Sequence, residues 1–240
     1  MGVGVAAELR SAGYAIIRSR RAASACDAAL LNFARLRQFR YPPVSNQVIR
    51  EDRVDHDYRN AFNELYTLAA MSLHRAWSSS PQATGLPFDG NDLSTQQEPF
   101  SASQHSTPYQ ASFASLFNYD HGFLNVHRDR GLLTAVYGYG GTHDGTVRLW
   151  CRPRDTGEWV DIGAQAARTD ACIILFVGEQ LEMASGGVYQ AIEHACRLDP
   201  SGERIDTRLR AHPGARPTGN RHSVALVLCE HEQVQEAQPD

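Results

Sequence analysis

The chain has 240 residues, 42% of them hydrophobic and 21% charged, with a formal net charge of −4. It can therefore bury one sizeable core, and it belongs with globular rather than disordered or fibrous chains. All 23 basic residues are arginine, which excludes lysine Schiff-base and P-loop lysine chemistry. The acidic balance provides no duplex-sized basic footprint, so nucleic acid is not an expected partner.

No stretch reaches the length of a membrane span, and "MGVGVAAELRSAGYAII" lacks the charged start of a signal peptide. A cytoplasmic protein without a membrane partner is expected. The five cysteines are scattered without a C-x-x-C pair, and four of them lie in apolar runs. Buried reduced thiols are the reading.

Residues 5–12 and 21–40 read as helices, with "YAIIRS" (14–19) a short strand between them. Residues 60–77 form a further helix with Phe62, Leu65, Leu68, Ala69 and Leu73 on one face. Residues 78–108 are rich in Ser, Gln, Pro and Gly and read as one long loop. From 111 onward the chain reads as strands: 111–119, 123–129, 132–139, 146–152, 158–163, 171–177, 188–197 and 222–230. Turn signals between them predict a sandwich or barrel. A polar, turn-rich insertion, 199–220, separates the last two strands. The expected organisation is one domain over 1–240: a helical part and loop over 1–110, then a β core over 111–232.

"NVHRDRGLLT" places His127 and Asp129 two residues apart on a predicted strand. Residues i and i+2 share a strand face, so both side chains can reach one point. An imidazole and a carboxylate begin a transition-metal site, and a second histidine would complete the facial triad of a non-haem iron oxygenase. The later histidines are His143, His194, His212, His222 and His231. His194 shares a predicted strand face with Val188, Gln190 and Ile192, whereas His222 alternates away from Arg221 and Ser223. For any one of them, a core histidine bonded to a carbonyl is the plainer reading. Arg221 and Ser223 are again i and i+2, and could hold a carboxylate through a bidentate ion pair and a hydroxyl.

Residues 113–232 resemble the Fe(II)/2-oxoglutarate-dependent dioxygenase superfamily, in particular its isopenicillin-N-synthase-like branch. "NVHRDRGLLTAVYG" looks like that branch's His-x-Asp segment, "FVGEQLEMASGGVYQAIEHAC" like its Gly-Asp-x-Leu to His segment, and "RHSVALVL" like its Arg-x-Ser strand. The resemblance implies a mostly β fold with N-terminal helices around a double-stranded β-helix (jelly-roll, cupin-like) core. His127, Asp129 and His194 would bind Fe(II), and Arg221 and Ser223 would hold the distal carboxylate of the cosubstrate 2-oxoglutarate. Tyr119, in "LFNYDHG", is a further cosubstrate candidate, although the family's Asn-x-Tyr-Pro spacing and proline are absent. The gap from His194 to Arg221 is also longer than is usual there.

The implied reaction consumes O2, releases succinate and CO2, and oxidises an unactivated C–H bond of a small metabolite, such as one of secondary metabolism. Asp129 stands where the related halogenases have a small residue. It therefore favours hydroxylation, desaturation or cyclisation. The alternatives are an iron oxidase of the same branch that uses no 2-oxoglutarate, a cupin-like metal enzyme, or a non-enzymatic cupin-like binding protein. Arg148, Trp150, Tyr109 and Gln190 are candidates to face substrate, with an outward face the competing reading for Arg148 and Trp150.

Overall fold

In the computed structural model the described residues are 2–35, 56–78, 112–118, 124–139, 147–168, 170–197 and 222–229. In chain order they form α1 (Gly2–Ser11), β1 (Tyr14–Arg18), α2 (Arg20–Arg35) and α3 (His56–Ser78). Then follow β2 (Phe113–Asn118), β3 (Leu124–His127), β4 (Leu133–Tyr139), β5 (Arg148–Arg152) and β6 (Val160–Asp161). The remainder is α4 (Ile162–Ala167), β7 (Cys172–Val177), α5 (Glu179–Ala184), β8 (Glu193–Arg197) and β9 (His222–Leu228).

Two antiparallel sheets face each other, one in the order β1-β7-β4-β9-β2 and the other β3-β8-β5-β6. From β2 onward the chain passes back and forth between them, which makes β2–β9 the eight strands of a jelly roll. The expected mostly β core with N-terminal helices is what the chain builds. β1 comes from the N-terminal part yet pairs in register with β7 (Tyr14 opposite Phe176), so the larger sheet draws on both ends of the sequence.

Strand alternation divides the core into two layers. On β7, Ile173, Leu175 and Val177 pack toward the helices, while Ile174 and Phe176 face the smaller sheet. α3 supplies Ala61, Leu65, Ala69 and Leu73 to the first layer, all fully buried. Each such leucine contributes roughly 1.5–3 kcal/mol on burial. Phe62 and Leu68, expected on that face, are only partly buried at its margin. The Ser19 hydroxyl accepts from the Ala22 N–H at 3.3 Å, which starts α2 directly after β1. The Tyr58 hydroxyl then ties α3 to β2 through the Ala114 carbonyl at 2.8 Å.

Three expectations change. The strand predicted over 158–163 is two residues long and gives way to α4, because the Asp161 carboxylate accepts from the Ala164 N–H at 2.9 Å and caps a helix. The stretch after β7, where only turn signals are read, forms the helix α5. The strand predicted over 188–197 begins only at Glu193, because Gly186 and Gly187 adopt φ +60 and +82° and turn the chain there. Residues 79–111 and 198–221, which hold most of the long loop and the polar insertion, lie outside the described residues.

Candidate metal centre

His127 is the last residue of β3, opposite His194 near the start of β8. Between Leu124, which pairs with Cys196, and His127 the register slips by one residue. This β-bulge leaves Asn125 and Val126 exposed and turns both Leu124 and His127 inward. Asp129 lies past the strand end, so the expected His-x-Asp face is half strand and half loop. Its backbone is fixed instead by the first turn of α5. The Glu179 N–H donates to the Asp129 carbonyl at 2.8 Å, and the Gln180 N–H donates to the Gly131 carbonyl at 3.1 Å.

The segment leading to His194 is equally constrained. The fully buried Tyr189 donates its hydroxyl to the Ala76 carbonyl on α3 at 2.5 Å. The Ala191 N–H donates to Glu182 Oε2 on α5 at 3.1 Å. Across the barrel Phe176 stacks on the His194 ring at 4.5 Å and 9°, so the two sheets meet at the site.

These elements bring His127, Asp129 and His194 together, with one ligand atom from each within 4.8 Å of the others. His127 Nε2 is 3.6 Å from Asp129 Oδ1, and His194 Nε2 is 3.5 Å from Asp129 Oδ2. The opposite ring nitrogens face carbonyls: His127 Nδ1 lies 2.7 Å from Asn125 O, and His194 Nδ1 lies 3.3 Å from Ile192 O. A carbonyl can only accept, so the proton of each neutral ring belongs on Nδ1 and the Nε2 lone pair points at the carboxylate. Asp129 Oδ2 is buried without a hydrogen-bond partner. Two lone pairs and a carboxylate oxygen without a hydrogen-bond partner converge as the donor set of a divalent cation. The donor spacing resembles the roughly 3 Å between adjacent ligands of a six-coordinate metal. The residues therefore fit a facial-triad metal.

The electrostatics agree. Burial acts to raise the Asp129 pKa, but His194 and His127 more than offset it, and the carboxyl stays well below the usual carboxylate range. Burial pushes the His194 pKa down, keeping its imidazole neutral. For His127, burial acts downward but is outweighed by Asp129, and its pKa is raised. Thr134 on β4 also faces the Asp129 carboxyl and helps hold it ionised. Neither Thr134 nor Phe176 stands out in the sequence, since each sits in an apolar strand without a spacing signal.

Of the other predicted positions, Ser223 is buried on β9, with neighbours Val224 and Leu226 turned to the helices, so it faces the barrel interior. Arg221, Tyr119, Tyr109, His143, His212 and His231 lie outside the described residues. Arg148 and Trp150 point away from the barrel, opposite in sense to the core pair Leu149 and Cys151. Arg148 pairs with Asp161 at 3.3 Å, and Trp150 Nε1 donates to the Arg197 carbonyl at 3.1 Å. The outward reading holds for both. Gln190 borders a surface concavity with Arg128, Arg152 and Glu193 rather than the triad.

No family model matches the chain. No curated protein matches it either. Solved structures do. A protein from Shewanella oneidensis described as an oxygenase superposes with a TM-score of 0.61 at 16% identity, covering 95% of this chain and 86% of the other. A 2OG-Fe(II) oxygenase family protein from Caulobacter crescentus gives 0.52 at 15% identity, over 94% and 80% of the two chains. A full-length Neurospora crassa protein in complex with alpha-KG and 5-formyluracil gives 0.53 at 11% identity, over 94% and 77%. The chain has the fold of the 2OG-Fe(II) oxygenases. Identities this low reflect a shared backbone path, so the chemistry has to be argued from the site.

Proposed function

We propose that the protein is a non-haem Fe(II)/2-oxoglutarate-dependent oxygenase that oxidises an unactivated C–H bond of a small metabolite. The observation that carries this reading is the convergence of His127 Nε2, His194 Nε2 and an unpartnered Asp129 oxygen at the end of a jelly roll. His127, Asp129 and His194 would hold the iron. Ser223, buried on the inner face of β9, would bind the distal carboxylate of 2-oxoglutarate together with Arg221 two residues earlier, and Tyr119 would be a further cosubstrate contact. With iron and cosubstrate bound, O2-driven decarboxylation to succinate and CO2 supplies the oxidising power for the C–H bond.

The chain's own residues set the conditions. The carbonyls of Asn125 and Ile192 fix which nitrogen each imidazole presents. Asp129 contributes negative charge and, by the resemblance to the halogenases with their small residue there, would leave no room for a halide, which favours hydroxylation, desaturation or cyclisation. Val136, Leu149, Ile174 and Phe176 form an apolar lining that excludes water from the barrel. Alpha-KG and a small heterocycle in the Neurospora crassa complex are in keeping with a small-molecule substrate. A cytoplasmic role in secondary metabolism fits the same reading.

The test is anaerobic addition of Fe(II) and then 2-oxoglutarate to the metal-free protein, followed by visible absorption. The expected result is the charge-transfer band of the chelated keto acid, lost in His127→Ala and His194→Ala and weakened in Arg221→Ala. Iron binding without the band would favour the oxidase that uses no 2-oxoglutarate. Well-folded protein that binds no iron would overturn the triad.

A further inference from the structure

The strand faces that turn His127 and His194 inward turn their chain neighbours outward, and there a second group of charges collects. A concavity of about 270 Å³ lies between the α1–β1 turn, the β5–β6 hairpin and residues 190–193. Arg128, Arg152 and Arg154 line it, together with Gln190 and a single acid, Glu193. Three arginines thus line it with a single acid, and two of them, Arg128 and Arg152, approach that carboxylate with their guanidinium groups. Glu193 Oε1 is 3.7 Å from Arg128 Nη2, and Glu193 Oε2 is 3.6 Å from Arg152 Nη1. Both distances exceed a direct hydrogen bond, so Glu193 is shared between two arginines and satisfies neither.

Arg152 is anchored through its side chain and Arg154 through its backbone. Arg152 Nε donates to the Gly157 carbonyl at 2.7 Å, which directs its remaining N–H groups into the concavity. The Arg154 backbone N–H donates to the Ala12 carbonyl at 3.2 Å and pins the hairpin to the α1–β1 turn. Its guanidinium has no partner among the described residues. The hairpin's own acids, Asp155 and Glu158, do not line the space. Asp155 accepts instead from the Thr156 N–H at 2.9 Å.

We propose that this concavity is a binding site for a small oxyanion, a phosphate or carboxylate group held by Arg128, Arg152 and Arg154. Planar guanidinium forks match such groups in two-point fashion, and net positive charge in a recess favours them over chloride or water. The site lies on the reverse side of the sheet from the triad and does not depend on the oxygenase reading. Glu193 acts as its internal competitor: an incoming anion takes over the arginine contacts that Glu193 now shares.

The experiment is a calorimetric titration of the full chain, without added metal and in low-chloride buffer, with sodium phosphate and separately with succinate. One binding site is expected, with Arg154→Ala and Arg128→Ala each weakening it about tenfold or more. Glu193→Gln should tighten it several-fold, because the competing charge is gone; a folding defect would not do this. Arg221→Ala should leave it unchanged, and the tighter of the two probes identifies the source as phosphate or carboxylate. The proposal fails if no one-site heat appears, if Arg128→Ala and Arg154→Ala leave the heat unchanged, if Arg221→Ala abolishes it, or if Glu193→Gln weakens binding.

Discussion

A histidine can ligate a metal only through a nitrogen that carries no proton, so the metal and the proton compete for His127 and His194. The two rings enter that competition differently. His194, buried under Phe176, has a lowered pKa and is neutral near pH 7. His127 has a raised pKa, so its contribution to metal-free stability is present below the unfolded value and lost as pH rises through the folded one. Metal binding gains over the same interval. Affinity for Co(II) should therefore rise as pH increases above the ordinary histidine value of 6.5, by up to about tenfold per unit, with a proton released on binding. Calorimetry in two buffers of different ionisation enthalpy measures both, and a flat affinity over that range would contradict the assignment of His127. Phe176 gives a second residue-scale prediction. It is fully buried, so Phe176→Ala should cost about 3–5 kcal/mol in denaturant unfolding. It should also loosen the ring of His194 and lower metal affinity.

Among the elements, the six-residue α5 has an influence beyond its length. Its first turn donates N–H groups to the carbonyls of Asp129 and Gly131, and the Gly178 N–H donates to the Leu132 carbonyl at 3.0 Å. This approach is so close that a Cβ on Gly178 would collide with the Gly131 carbonyl, although the φ of −103° is one any residue can adopt. Glycine is required here by space, not by backbone angle. Gly178→Ala must push the Asp129–Gly131 loop away. It should cost about 2–3 kcal/mol of stability and weaken Co(II) binding at least tenfold. Gly157→Ala is the contrasting variant: φ is +65° but a side chain meets open space. It should cost about 1 kcal/mol and leave Co(II) affinity unchanged. Equal metal affinities in the two variants would remove α5 from the account of how Asp129 is placed.

For the molecule as a whole, the two layers of core enclose all five cysteines, and every one is reduced and buried. Burial pushes the Cys151 and Cys229 thiols up to about 12, with smaller contributions from Asp161 and Asp129, and raises Cys26 as well. Reactivity follows the thiolate and its exposure. The native protein should therefore show fewer than about one thiol reacting with a disulfide reagent at pH 8, whereas unfolding should release all five. Rapid native labelling would mean that the sheets part more readily than their packing implies. No helix among the described residues is long and apolar enough to cross a membrane.

Several features were legible in the residue order alone because they depend on short-range periodicity. The helices α2 and α3 follow from apolar spacing near 3.6, and β1, β4, β7 and β9 follow from apolar runs of strand length with turn residues between them. The pairing of His127 with Asp129, and the choice of His194 as third member, needed only spacing and a resemblance carried by three motifs. What the order could not supply depends on contacts between distant segments. The bulge that turns His127 inward exists because β3 must register against β8, about seventy residues later. Asp129 is held not by its own strand but by α5, whose close approach to the Gly131 carbonyl leaves no room for a side chain at Gly178. Phe176, Thr134 and the Arg128–Arg152–Arg154 recess acquire meaning only once the two sheets are folded face to face. Local spacing determined which side chains could bind a metal; the packing of one sheet against the other decided where their lone pairs point.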